Sequence, residues 1–275
     1  RQAKRLFSII TSGGFLSALI VGSSLSSISY LISQENSVLI FNFLILFCPV
    51  FIYQLMLNTN KNKIENKSDE KSASFNEVFN NRYIRNIIFI TFLFTTLTII
   101  IDYNFKLVAY EKFQNNSIEL TNFFARFYSF TAFISFIIQI SLSGYVINRF
   151  GIKYAMMILP ILLFVIFIFG YFISPFIIIM LLKGKEQIFK STLHDTSMHI
   201  LWMPIPSFKR ITIKPLVNIF LKNIFSSLSA GFLIISVYFQ FTFIHFIPFC
   251  FLLLLALLFF TRRTKDFYVK ELIKA

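Results

Sequence analysis

The sequence predicts an all-α polytopic membrane protein, and three observations support this fold class. The 275 residues are 56% hydrophobic and only 14% charged, whereas a soluble domain has about a quarter charged residues. Eight apolar segments reach the ~20 residues that an α-helix needs to cross a bilayer. The basic residues fall on alternate connections between these segments, which is typical of helical membrane proteins.

The predicted spans follow one another through short connections, apart from one polar interval after the second span. Each is long enough, at a rise of about 1.5 Å per residue, to match the hydrocarbon thickness of a membrane. The eight segments are residues 6–32, 38–57, 87–110, 123–147, 154–173, 175–202, 216–239 and 243–261.

Clusters of lysine and arginine lie on every second connection. Loops rich in these residues remain cytoplasmic, so the pattern predicts a multi-pass protein of a cell inner membrane with both ends of this sequence cytoplasmic. It also accounts for the net charge of +14 without a nucleic-acid partner. The clusters are Arg1, Lys4 and Arg5; Lys61, Lys63, Lys67, Lys71, Arg82 and Arg85; Arg149 and Lys153; Lys209, Arg210 and Lys214; and Arg262, Arg263 and Lys265.

The polar interval at residues 58–86 divides the chain unequally. It is rich in Lys, Asn, Ser and Glu and is typical of a cytoplasmic linker. Residues 1–57 then hold two helices, residues 87–262 hold six, and residues 263–275 form a cytoplasmic tail. The sequence contains no phosphate-binding glycine loop, Ser/His/Asp set or Cys-x-x-Cys motif, so neither an enzyme nor a cofactor is predicted.

A short glycine-containing basic turn joins the fourth and fifth spans. It reads Gly144-x-x-x-Asn148-Arg149-x-Gly151-x-Lys153, and its glycines allow helices to approach and the chain to reverse. The pattern resembles the loop signature of the major facilitator superfamily, in which an Asp usually replaces Asn148. That family has two six-helix halves joined by a cytoplasmic linker. The resemblance therefore implies a major-facilitator-like bundle containing helices 5–12: the last two helices of the N-terminal half and a complete C-terminal half.

Further runs resemble the ATP/ADP (NTP/NDP) translocases and their facilitator-like relatives. Ala3-Lys4-Arg5 precedes a glycine-containing span, Asp102 and Lys106 match a carboxylate and an amine of helix seven, and Trp202-Met-Pro204 matches a run after helix ten. Charged positions of that family are replaced, and ATP/ADP exchange therefore does not follow from the resemblance. The replacements are Met198, His199, Asn218, Asn223 and Ser226.

The sixth predicted span is unusually polar. Each lysine at the centre of a bilayer costs about 2.5–3.5 kcal/mol on insertion scales, so this helix cannot face lipid on all sides. A polar stripe recurs at three- and four-residue steps and should line an internal cavity or contact another helix. The stripe comprises Lys183, Glu186, Lys190, His194 and Ser197. His194 and His199 are five residues apart and have no evident third ligand, so no metal site is predicted.

Intramembrane charge and the two resemblances together nominate the candidate functional residues. For substrate binding they are Lys106, Lys183, Lys190 and Arg126; for coupling or gating they are Asp102, Glu186, His194, Asp195, Arg149, Gly144 and Gly151. Two alternatives remain open. Arg126 fits an arginine at the membrane interface, and Asp102 with Lys106 fits a solvated pair at the outer end of its span.

The predicted function is secondary transport of an anionic metabolite, such as a nucleotide or a phosphate ester, by alternating access. The expected partners are the lipid bilayer, the anionic substrate and a further membrane chain supplying the missing helices. The alternative is a non-transporting structural or regulatory subunit of a larger complex, built on a degenerate transporter scaffold.

Overall fold

A computed structural model describes residues 12–24, 81–113, 116–169, 174–241 and 243–274, together with positions 36, 49, 53 and 54. All regular structure in these residues is helical, and it forms seven helices. They are α1 (Ser12–Ser24), α2 (Arg82–Lys112), α3 (Ser117–Ile138, a π-helical turn at Gln139–Ser143, then Gly144–Arg149), α4 (Ile152–Phe169), α5 (Pro175–Phe189, a π-helical turn at Lys190–His194, then Asp195–Leu201), α6 (Ser207–Pro215, a π-helical turn at Leu216–Leu221, then Lys222–Tyr238) and α7 (Phe243–Lys274).

Five of these helices are long and apolar enough to cross a membrane, which confirms a helical membrane protein. Eight spans were predicted, and the described part of the chain does not support that number. Helix α5 carries too many charged residues to count as a membrane span by its composition. Of the first predicted span only Ser12–Ser24 is described, and this helix is too short to cross a membrane. The second predicted span, apart from three isolated positions, and most of the predicted linker lie outside the described residues.

Helix α2 begins at Arg82, five residues before the start of the third predicted span. Asn81 explains this boundary, because its side-chain oxygen accepts a hydrogen bond of 2.8 Å from the backbone N–H of Tyr83. Asparagine is a preferred N-cap residue because it satisfies a backbone donor that has no partner within the helix. The helical signal therefore extends back into a sequence that composition alone assigns to the linker.

Helix α2 is the centre of the bundle and packs against α5, α6 and α7, while α4 packs against α5 and α7. The core consists mainly of Ile, Leu and Phe side chains from these helices. At one end of the bundle, the Tyr83 hydroxyl donates to the Leu201 carbonyl over 2.5 Å and the Asn86 amide donates to the Thr264 hydroxyl over 3.0 Å. The start of α2 and the ends of α5 and α7 therefore lie together.

The turn between α3 and α4 reverses the chain at Gly151, whose φ of +84° is the left-handed conformation that favours glycine. This part of the glycine prediction is confirmed. The expectation that Gly144 permits close helix packing is wrong for the described residues, because a Cβ added there would meet no atom within 4 Å. The described part of α1 approaches α3 at Gly22 and Ser129.

Candidate functional site

Five charged side chains of α2 and α5 form one continuous row of ion pairs, here called the ion chain. Lys106 contacts Asp102 at 2.7 Å, and Asp102 contacts Lys183 across the helix interface at 2.9 Å. Glu186 contacts Lys183 at 3.0 Å and Lys190 at 3.2 Å. Three cations and two carboxylates give the ion chain a formal charge of +1.

The middle of the ion chain is deeply buried, whereas its two ends are more accessible. The side chains of Lys183 and Glu186 are 5% and 1% exposed, whereas those of Lys190 and Lys106 are 29% and 62% exposed. Burying two unpaired charges would cost several kcal/mol each, and only close pairing with further hydrogen bonds offsets that cost. The interior of the ion chain is therefore held firmly, and Lys190 has room to move.

Helical spacing explains most of this arrangement. Lys183, Glu186 and Lys190 are three and four residues apart on α5, and Asp102 and Lys106 are four apart on α2, so each set lies on one helix face. The sequence predicted both faces. It did not predict the contact between Asp102 and Lys183, although two apolar helices that each carry unexplained charges are a signal for such pairing.

The two π-helical turns of α3 and α5 meet just beyond the ion chain. The Ser143 hydroxyl donates to the Thr192 carbonyl over 3.1 Å, and both residues are completely buried. Within the α5 turn, the N–H of Asp195 donates to the carbonyl of Lys190, the five-residue pattern of a π-helix. Such turns are frequent at functional sites because the extra residue re-aims the side chains that follow.

A cavity of about 380 Å³ lies between the first half of α2, the second half of α5 and the middle of α6. Lys190 joins it to the ion chain. The other charged side chains that line the cavity are Lys222 of α6 and Asp195 of α5. The remaining lining residues are Thr91, Phe94, Thr95, Thr98, Ile99, His194, Met198, His199, Asn218 and Ser226.

His194 forms part of the cavity wall in an aromatic pair. Its ring stacks on Phe94 with 3.8 Å between centroids, and the Lys190 ammonium lies 5.9 Å from the centre of the same Phe94 ring. The His194 Nδ1 atom is buried and has no hydrogen-bond partner in the described part of the chain. A buried nitrogen without a partner is costly, so this group is a candidate for contact with a ligand.

Several residues of the cavity were not nominated from the sequence. Lys222 lies at the middle of α6, where an uncompensated lysine is expensive, and its position in a long apolar segment was the signal. Thr91, Thr95 and Thr98 recur at steps of four and three residues on α2, which places their hydroxyls on one face.

The structure divides the other nominated residues among three places. Lys106 reaches the cavity only indirectly, through the ion chain. Arg126 lies in a different cavity, with Glu119 and the end of α2, so its predicted grouping with the lysines is not observed. Gly144 and Arg149 lie in the last helical segment of α3, where the Arg149 guanidinium contacts the hydroxyl of Tyr145, and Gly151 lies in the turn that follows.

No family model matches the chain, and no curated protein or solved structure matches it. Function is therefore inferred from the geometry of the ion chain and the cavity. The family resemblance read from the sequence stays a prediction.

Proposed function

We propose that the chain is part of a secondary transporter of the major facilitator type, which binds a small anionic metabolite and moves it across a cell inner membrane by alternating access. One observation carries the proposal. Lys190 joins the buried Glu186 of the ion chain to a cavity enclosed by α2, α5 and α6, and transporters of this type bind their substrates between membrane helices.

The charge of the cavity favours an anion. Lys190 and Lys222 contribute two positive charges and Asp195 contributes one negative charge, so the formal balance is +1. The threonine hydroxyls and Asn218 add uncharged hydrogen-bonding groups that suit phosphate or carboxylate oxygens. A nucleotide or a phosphate ester has the required chemistry.

The number and placement of the helices support the same proposal. Helices α2 to α7 follow the predicted linker, and their number equals the six helices of the C-terminal half that the resemblance implies. The charged stripe of α5 faces α2 and the cavity. A helix with this many charges is tolerated in a membrane only when other helices shield it from lipid.

Lys190 suits substrate binding better than Lys183 does. The Lys183 ammonium donates a hydrogen bond to Glu186 Oε2 and also contacts Asp102, so its charge is fully occupied. Glu186 Oε1 contacts Lys190 at 3.2 Å without a well-aligned hydrogen bond. An incoming anion can therefore draw Lys190 away from Glu186 at a modest cost in free energy.

The movement of Lys190 from Glu186 to the anion would couple anion binding to the binding of a proton. When Lys190 turns to the anion, Glu186 keeps only Lys183, which it shares with Asp102. Asp102 also keeps Lys106, whereas the buried Glu186 has no other cation among the described residues, and a buried carboxylate with only a shared counter-ion is a candidate for proton uptake. Under the proposal, Glu186 carries the coupling proton, and the other candidates are Asp102 and His194.

The test is uptake of radiolabelled nucleotides and phosphate esters into proteoliposomes containing the full-length protein. Lys190→Ala should lower uptake at least about tenfold, because a charge-assisted contact to the anion is lost. Lys185→Ala is the matched control, since Lys185 lies on the same helix, over the Phe189 ring, and outside the cavity. Equal uptake by wild type and Lys190→Ala would exclude the proposed role of Lys190.

One observation favours a second candidate function, a structural or regulatory subunit that does not transport. Asn218 and Ser226 line the cavity at positions where the translocase resemblance has charged residues. A subunit of this kind would take up none of the tested anions and would co-purify at a fixed ratio with another membrane protein.

A further inference from the structure

A second cavity, of about 450 Å³, lies beside α3 at the end of the bundle opposite Tyr83 and Leu201. Its wall combines apolar side chains with two opposite charges. The apolar part is formed by Phe113, Phe123, Phe127 and Met180, and the charged part by Arg126 and Glu119. This combination of chemistry differs from the cavity around Lys190, which contains hydroxyls and an excess of positive charge.

Arg126 and Glu119 are both exposed, and neither makes an ion pair in the described part of the chain. They lie on the same face of α3, two helical turns and about 10 Å apart along the axis. Side chains that form an ion pair on one helix are usually only three or four residues apart. Arg126 is nevertheless surrounded in sequence by Phe123, Phe124, Ala125 and Phe127. An arginine within such an apolar stretch extends its guanidinium to the membrane surface, where a lipid phosphate can serve as its counter-ion.

The position along α3 fits the headgroup region of a bilayer. The apolar span that contains both residues is 31 residues long, whereas about 20 residues cross the hydrocarbon. Because Glu111, Lys112 and Glu119 surround the start of α3, we expect its first turns to lie in the polar region, with Glu119 further out than Arg126. An Arg126 side chain that reaches outward meets the level of lipid phosphates, while the phenylalanines face the first acyl carbons.

We propose that this cavity binds one phosphatidylethanolamine molecule. The lipid phosphate contacts Arg126, its primary ammonium contacts Glu119, and one acyl chain lies against Phe123, Phe127 and Met180. Both charges of the site are then matched by the two charges of one headgroup. An anionic lipid without an amine would leave Glu119 unmatched, and a quaternary ammonium cannot donate a hydrogen bond to the carboxylate.

Native mass spectrometry of the purified full-length protein tests this assignment. Phosphatidylethanolamine, phosphatidylcholine and phosphatidylglycerol with identical acyl chains are titrated separately. We expect one phosphatidylethanolamine to bind about tenfold more tightly than either of the other lipids. Arg126→Ala should weaken that binding about tenfold, whereas Arg262→Ala, an exposed arginine of α7, should leave it unchanged.

Glu119→Gln provides a test that does not depend on the fold, because the side chain is exposed and the change is isosteric. This variant should bind phosphatidylethanolamine and phosphatidylcholine alike. The assignment is wrong if wild type does not distinguish these two lipids, if it prefers phosphatidylglycerol, or if Arg126→Ala binds phosphatidylethanolamine as tightly as wild type does.

Discussion

Lys183 of α5 contacts Asp102 of α2 at 2.9 Å and thereby joins two charged segments that are far apart in the sequence. The contact joins one ion pair within α2 and two ion pairs within α5 into the ion chain. It also explains how α5 lies within an apolar bundle although its composition is too charged for an ordinary span.

Replacing Lys183 by alanine should strongly destabilise the protein. The substitution leaves Glu186 with Lys190 alone and Asp102 with Lys106 alone, and removing one partner of a buried ion pair costs about 3–5 kcal/mol. Lys106→Ala is the control, because the Lys106 side chain is 62% exposed and an exposed pair contributes at most about 1 kcal/mol. Thermal unfolding in detergent, followed by tryptophan fluorescence, measures both. Equal losses of thermal stability in the two variants would contradict the larger contribution assigned to Lys183.

Glu186→Gln should separate proton coupling from transport. The amide keeps the shape of the side chain but cannot exchange a proton. We therefore expect proteoliposomes with this variant to exchange labelled anion across the membrane and to lose accumulation driven by an inward proton gradient. Glu111→Gln is the control, since Glu111 is exposed near the end of α2 and belongs neither to the ion chain nor to the cavity. If wild type transports nothing, the transporter proposal fails. If Glu186→Gln still accumulates anion, only the assignment of the proton to Glu186 fails.

The hydrogen bond between the π-helical turns of α3 and α5 should contribute measurably to stability. Ser143→Ala removes the donor to the Thr192 carbonyl, so the free energy of unfolding should fall by about 0.5–1.5 kcal/mol. Ser141→Ala is a matched control two residues earlier, because Ser141 is exposed and bonds only to the Ile137 carbonyl of its own helix. A larger loss in Ser141→Ala than in Ser143→Ala would contradict the account of the two turns.

Gly144, in the last helical segment of α3, and Gly151, in the turn that follows, should respond oppositely to substitution by alanine. Gly151 has a φ of +84°, and a Cβ in this conformation costs about 1–2 kcal/mol. Gly144 is helical with open space around it, so alanine there should be neutral or stabilising by up to about 1 kcal/mol. Denaturation midpoints of the two variants test the difference, and a stabilising Gly151→Ala would refute the assigned turn.

The sequence predicts the helical membrane class because apolar length and basic clusters are local signals. It also identifies the charged face of α5, since helical spacing places Lys183, Glu186 and Lys190 on one side. Contacts between helices, in contrast, are not encoded in local sequence signals. The pairing of Asp102 with Lys183, the position of Lys222 in the cavity and the separation of Arg126 from both depend on how helices pack, which no local pattern specifies.

The start of α2 illustrates a second limit. Composition assigns residues 82–86 to a polar linker, yet Asn81 caps a helix there and Tyr83 and Asn86 bind α5 and α7 through their polar groups. Polar residues that satisfy one another between helices are indistinguishable in composition from residues that face water. The difference appears only when their partners are known.

Direct binding of an anion to the purified full-length protein tests the central claim most directly. Isothermal titration with a nucleoside diphosphate and with a sugar phosphate should show saturable binding of at least one of them to wild type and to Lys185→Ala. Lys190→Ala and Lys222→Ala should each weaken that binding at least about tenfold. Binding that is equally tight in all four proteins, or absent from wild type for every anion tested, would contradict the assignment of the cavity.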